Sequence, residues 1–277
     1  MGGQEGMALT AALDALSADF EAAGGEVGLC VRHFERDYRY ERGADGPFQA
    51  ASTIKLPILV ALHDAVARGR LRLHAQVRLR PEDQVTGSGV LQLLSPGLRL
   101  PLRDLAELMI ATSDNAATNI LLRLLGLERV NACLEGLGLH QIRVHRPLQV
   151  IPVAAGPTNT VTAGELAELL GRIAAGTVVS WEACRRMVAT LKRQQVRSAL
   201  PALLPDGGGA VGALPRWELA HKTGGIPGHQ HDVGLLYLPG QTIVVAVLTR
   251  GGPSAAQARG FIAQVGLAVL RAWDGGA

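Results

Sequence analysis

Extended segments stand at both ends of this 277-residue chain with a long helical stretch between them, and that order limits the folds open to it. Near the N-terminus, "EVGLCVRHFERDYRYERG" (26–43) reads as two strands joined by a turn. Near the C-terminus, "RWELAHKTG" (216–224), "HDVGLLYLP" (231–239) and "TIVVAVLTR" (242–250) are β-rich and bounded by turn formers. Between them, 53–68, 101–110, 114–125, 128–136, 162–175 and 180–192 repeat apolar residues at three- and four-residue spacing, as helices with one buried face do. An amphipathic helix precedes the first strands, and another runs from about 254 to 272. Strands and helices do not alternate, so the pattern implies an α+β fold: one antiparallel sheet built from both termini, flanked by helices, with an inserted all-helical part. A cleft is expected where the two parts meet. We expect a single domain over 1–277, with 1–48 and 206–277 as its α/β part and 49–205 as its helical part.

Several classes of function fall away on composition. Apolar residues make up 48% and charged residues 18%, enough for a full core and too apolar for disorder. A net charge of +3 with scattered arginines does not suggest nucleic acid, and aromatic and basic residues are nowhere interleaved. The densest basic stretch, "RGRLRLHAQVRLR" (68–80), reads as a small hairpin with solvated arginines. Cys30, Cys133 and Cys184 are far apart in apolar settings, which predicts buried free thiols. There is no metal-ligand spacing and no glycine-rich phosphate loop, so neither metal nor cofactor is expected. No run reaches transmembrane length, and the first residues do not read as a signal peptide. The expectation is therefore a monomer acting on a small molecule, with no nucleic-acid or membrane partner, cytoplasmic as written and periplasmic or secreted if the start is trimmed.

The chain uses lysine at only three places, Lys55, Lys192 and Lys222, and arginine everywhere else. In "ASTIKLPILVAL" (51–62), Ser52 and Lys55 lie three residues apart at a predicted helix start, on one side of its first turn. A serine hydroxyl is a weak nucleophile until a neighbour takes its proton. Lysine can do so once burial lowers its pKa, whereas arginine stays protonated. Chance S-x-x-K matches number about 0.1 in this composition, so the motif is suggestive only. In "MIATSDNAATNILL" (109–122), Ser113-Asp114-Asn115 sits at a helix junction, either as an N-cap or as a hydroxyl and a carboxamide turned into the cleft. "HKTGGIPGHQHDVG" (221–234) places Lys222-Thr223-Gly224 at a strand end, where Gly224 and Gly225 would let an extended substrate lie along the strand edge.

S-x-x-K, S-D-N and K-T-G in this order resemble the signature of class A β-lactamases and penicillin-binding proteins. "GSGVLQLLSPGLRLPLRDLAELMIATSDNAATN" (87–119), "NTVTAGELAELL" (159–170) and "HDVGLLYLP" extend the resemblance over nearly the whole chain. It implies a β-lactamase/transpeptidase-like fold and an acyl-enzyme mechanism. Ser52 would be the nucleophile, Lys55 its activator, and Ser113 with Lys222 the relay to the leaving nitrogen. Asn115, Thr223, Gly224 and Gly225 would hold the substrate, and the backbone N–H groups of Ser52 and Gly225 would form the oxyanion hole.

The resemblance fails at one place. Class A β-lactamases carry an omega-loop glutamate that activates the deacylating water, but "HRPLQVIPVAAGPTNTVT" (145–162) has no acidic residue. Leu148 or Gln149 takes the glutamate's place, Arg146 faces Asn159 where an Arg–Asp bridge is usual, and Glu165 lies beyond the loop. Glutamine is no general base at neutral pH. The expectation is a penicillin-recognising serine hydrolase that acylates and deacylates slowly. The alternatives are a D-Ala-D-Ala peptidase, a small-ester esterase, or a sensor that is acylated without turnover. Arginine, often found on the strand after K-T-G, gives way to His229 and His231, which are possible auxiliary groups beside Gln149.

Overall fold

The computed structural model describes residues 2–148, 156–206 and 215–274. Five strands form one antiparallel sheet: β1 (Gly25–His33), β2 (Tyr38–Arg42), and the late β7 (Glu218–Ile226), β8 (His229–Leu238) and β9 (Gln241–Gly251). Their order is β2-β1-β9-β8-β7, so the N-terminal hairpin pairs directly with the last strand, Gly25 opposite Gly251 and His33 opposite Ile243. The short β3 (Phe48–Gln49) and β6 (Thr160–Val161) pair with each other, as do β4 (Gln76–Arg78) and β5 (Arg99–Pro101).

Both faces of the sheet are covered, which explains why "TIVVAVLTR" is apolar throughout instead of alternating. Along β9, Ile243, Val245 and Val247 pack on one side against the first helix, α1 (Gly2–Ala22), and the last, α8 (Ala255–Trp273). Val244, Ala246 and Leu248 face the other way, into the core of the helical part. That part contains α2 (Lys55–Ala67), α3 (Leu102–Ala111), α4 (Asn115–Leu125), α5 (Leu127–Gly136), α6 (Ala163–Ala174) and α7 (Trp181–Leu191). α2 runs through its centre, with ten of its 13 residues buried.

The arrangement of sheet and helices is the one expected. One element differs: residues 68–80 do not fold back on themselves as a hairpin. β4 pairs instead with β5, more than twenty residues later, Arg78 lying opposite Arg99. The intervening stretch satisfies its own backbone through turns and through Leu79, which bonds Leu98 and Gly97. Cys30, Cys133 and Cys184 are free; Cys133 is only partly buried.

Candidate active site

Three junctions meet at the mouth between sheet and helices. Residues Ala51–Ile54 form a single 3-10 turn ahead of α2, so Ser52 precedes the α-helix and Lys55 is its first residue. Ala51 (φ 43°) and Ser113 (φ 55°) are non-glycine residues in the left-handed region. Such backbone costs about 1–3 kcal/mol and persists where the surroundings impose it, as they do beside reactive groups.

The Lys55 side chain is fully buried. Its Nζ lies 3.0 Å from Ser52 Oγ, 3.0 Å from Ser113 Oγ, 2.6 Å from Ser113 O and 2.9 Å from Asn115 Oδ1. Four oxygens surround an amine that holds at most three hydrogens, so the Ser52 hydroxyl can donate once the amine is neutral. Burial is the main force holding Lys55 well below its ordinary pKa, and the positive charge of Lys222 adds to it. Lys222, with no exposed surface, donates to Ser113 Oγ at 3.1 Å and Thr223 O at 2.8 Å. Burial pushes its pKa down to about 7, partly opposed by the carboxylate of Asp232. Ser113 Oγ thus joins two buried amines, each held below its ordinary pKa.

S-D-N does both of the things its sequence allowed. Asp114 caps α4 through Ala117 N (2.9 Å), while its second oxygen accepts from Val90 N (2.6 Å) and Leu91 N (2.8 Å). Ser113 and Asn115 turn toward Lys55 instead, and Asn115 N fastens the facing loop by donating to Ser88 O at 3.0 Å.

The third junction is β7, an edge strand of the sheet. A Cβ on Gly224 would come within 3.1 Å of Thr53 N and 3.2 Å of Ser52 N, so glycine is what lets the strand approach Ser52. Gly225 is exposed, leaving the strand edge open beside it. The cleft between these elements is about 240 Å³, and its walls include Ser52, Ser113, Thr223, Gly224 and Gly225.

No carboxylate lines this cleft among the described residues. Gln149 lies outside the described residues. Leu148 is placed: Asn119, four residues past Asn115 on α4, accepts from Leu148 N at 2.7 Å and donates to Leu148 O at 2.8 Å. Glu165 points elsewhere, its carboxylate taking the backbone N–H groups of His140, Gln141 and Ile142. Asn159 holds the backbone of residue 146, donating to Arg146 O and accepting from Arg146 N and His145 N. His231 borders the cleft, but Thr249 N donates to its Nδ1 and its Nε2 lies 2.8 Å from Gln49 O. Burial lowers its pKa to about 4, and neither ring nitrogen is left to take a proton from water. His229 stands beyond it, edge-on to its ring, and is not part of the cleft wall.

Arg259 is the residue that the sequence reading missed. It reaches the cleft from α8, half-buried, with Nη1 donating to Gln230 Oε1 at 3.3 Å. The signal was a cation in the apolar stripe of α8, three and four residues before the buried Ile262 and Ala263. Arg250, by contrast, is paired with Glu26 and lies over the Phe48 ring.

A model described as the beta-lactamase enzyme family matches residues 8–273. Beta-lactamase L2 of Stenotrophomonas maltophilia is 27% identical over 266 residues, 94% of this chain and 84% of that protein. Among solved structures, a beta-lactamase from Sphaerobacter thermophilus superposes with a TM-score of 0.88 at 34% identity, covering 95% of this chain and 97% of the other. PBP-A, solved as a leucine-to-glutamate variant in acyl-enzyme complex with penicillin G, superposes with a TM-score of 0.83 at 30% identity, covering 96% and 97%.

Proposed function

The chain belongs to the beta-lactamase enzyme family, a hydrolase of the class A type, and from that premise we propose that it forms an acyl-enzyme through Ser52 and releases β-lactam products slowly. The observation that carries the first half is the bridge Ser52–Lys55–Ser113–Lys222, closed by contacts of 3.0, 3.0 and 3.1 Å. Neutral Lys55 takes the Ser52 proton as Oγ attacks the acyl carbon. The backbone N–H groups of Ser52 and Gly225 face the developing oxyanion. Lys222 stabilises Ser113 as that hydroxyl passes a proton to the departing nitrogen. Arg259, with Thr223, meets the carboxylate of the substrate from the far wall.

The second half rests on what the cleft lacks. Deacylation requires a base for water, and neither the described walls nor the sequence of residues 149–155 supplies a carboxylate. A D-amino-acid peptide is the second reading. It is favoured by the open edge of β7 at Gly225, along which an extended backbone can add as a strand.

Intact mass spectrometry over time after mixing with penicillin G tests both. The expected result is a mass increase equal to the whole penicillin, persisting for minutes or longer and absent in Ser52→Ala. Hydrolysis at hundreds of turnovers per second would refute slow release. Neither adduct nor hydrolysis would move the reading to a peptide or ester substrate.

A further inference from the structure

The charge of this chain is concentrated in one place. Residues 68–103 carry seven arginines (68, 70, 72, 78, 80, 99 and 103) against Glu82 and Asp83, a local balance of +5. The whole chain is +3, which leaves the remainder at −2. The β4–β5 ribbon lies within this stretch and carries two of its arginines at the surface. Arg78 and Arg99 are direct cross-strand partners, both exposed, although like charges placed opposite each other destabilise a ribbon. Arg68, Arg80 and Arg103 pair with Asp64, Glu82 and Asp104, and Asp83 is buried against Arg123. Arg70, Arg72, Arg78 and Arg99 have no ion-pair partner among the described residues.

The loop that leads into this ribbon exposes apolar side chains. Val90 is 38% exposed, Leu93 79%, Leu94 40% and Leu98 40%, half of the large hydrophobic residues exposed among the described residues. They adjoin the arginines. Leu98 precedes Arg99, Leu98 O accepts from Leu79 N beside Arg78, and the Arg78 guanidinium lies over Gly97. The backbone beneath them is fixed, because Asp114 holds Val90 and Leu91 while Gln84 donates to Leu94 O. Arginines alone would suit any polyanion. Leucines held out on a braced loop among them suit a surface that is anionic outside and apolar a few ångströms in.

We propose that the β4–β5 ribbon and the 90–98 loop form a docking face for an anionic lipid bilayer. The leucines enter the headgroup layer and the unpaired arginines meet lipid phosphates. Such docking goes beyond the expectation from sequence, which was solvated arginines and no membrane partner. The same Asp114 and Ser88 contacts tie the loop to S-D-N, so docking brings the mouth of the cleft close to the bilayer.

The test is sedimentation of the purified chain with vesicles of phosphatidylcholine alone and with about a third phosphatidylglycerol, at low and at physiological salt. Binding is expected only with the anionic lipid and is expected to weaken as salt rises. Each arginine near the surface contributes about fivefold, so Arg78→Ser with Arg99→Ser should weaken partitioning about 25-fold. Leu93→Ser with Leu98→Ser should weaken it at every salt concentration without altering the salt slope. These positions are exposed, and unchanged thermal unfolding of the variants will show intact folding. Wild-type protein that ignores anionic vesicles would overturn the proposal. So would binding to soluble polyphosphate of the same strength, undiminished in the leucine variant, since that would mark a polyanion site.

Discussion

Lys222 is held at a cost that folding must overcome, and the cost can be measured separately from catalysis. Its amine has no exposed surface, and burial brings its pKa from the ordinary 10.5 to about 7. The unfolded chain therefore holds a proton that the folded chain has half lost at pH 7. By linkage, this difference costs about 4 kcal/mol of stability at that pH. The sign follows from which state binds more protons. The cost is complete below pH 7 and fades as pH rises toward 10.5, where both states are neutral. Lys222→Met keeps the length of the side chain and removes the charge. It also removes donors to Ser113 Oγ and Thr223 O, a loss of about 1–3 kcal/mol that does not vary with pH. Relieving Lys55 of a like charge acts in the same direction as the main effect.

The readout is the slope. In urea unfolding between pH 7.5 and 10, the wild type should gain about 1.4 kcal/mol per pH unit relative to the variant. Thiols and tyrosines that titrate in this range are common to both proteins and cancel. The variant should be more stable than the wild type, or equal to it, at pH 7 and less stable at pH 10. Parallel pH profiles would refute the reasoning, because they would mean that Lys222 keeps its proton in the folded protein.

Other outcomes follow from the same geometry. Lys55→Arg keeps the positive charge but cannot accept a proton, so acylation by penicillin, followed by mass spectrometry, should fall at least a thousandfold; normal acylation would end the proton-acceptor role. Leu148→Glu places a carboxylate where Asn119 fixes the loop backbone, and the lifetime of the penicillin adduct should shorten at least tenfold; an unchanged lifetime would mean that the deacylating water approaches from elsewhere. Asp114→Ala strips acceptors from three backbone N–H groups and should cost about 3–5 kcal/mol in urea unfolding; a loss under 1 kcal/mol would show that the 90–91 loop is braced by other contacts.

The sheet could be read from the sequence because its strands are long, β-rich and bounded by turn residues, and the helices because each hides one face. The four catalytic candidates were legible for a different reason: S-x-x-K, S-D-N and K-T-G are local, and each sits at a junction between elements. What was not legible depended on distant packing. Whether residues 68–80 pair with themselves or with 99–101 is decided by where α3 begins, since Leu102 N and Arg103 N bond back to Ala75 O and Leu73 O. Arg259 reaches the cleft that Ser52 also lines only because α8 lies across the sheet at one particular phase. His231 looked like an available base until its two nitrogens were seen to hold Thr249 and Gln49.

The pairing of β1 with β9 also sets an order in time. Gly25 meets Gly251, and the 207 residues between the end of β1 and the start of β9 must be made first. At a ribosomal pace of about 5–20 residues per second, β1 waits about 10–40 s with only β2 at its side. Until then one edge of that hairpin has no partner, and neither α1 nor the hairpin has the layer that will cover it. The sheet therefore closes only once β9 has been made, and a newly made chain stays open until residues 241–251 are available.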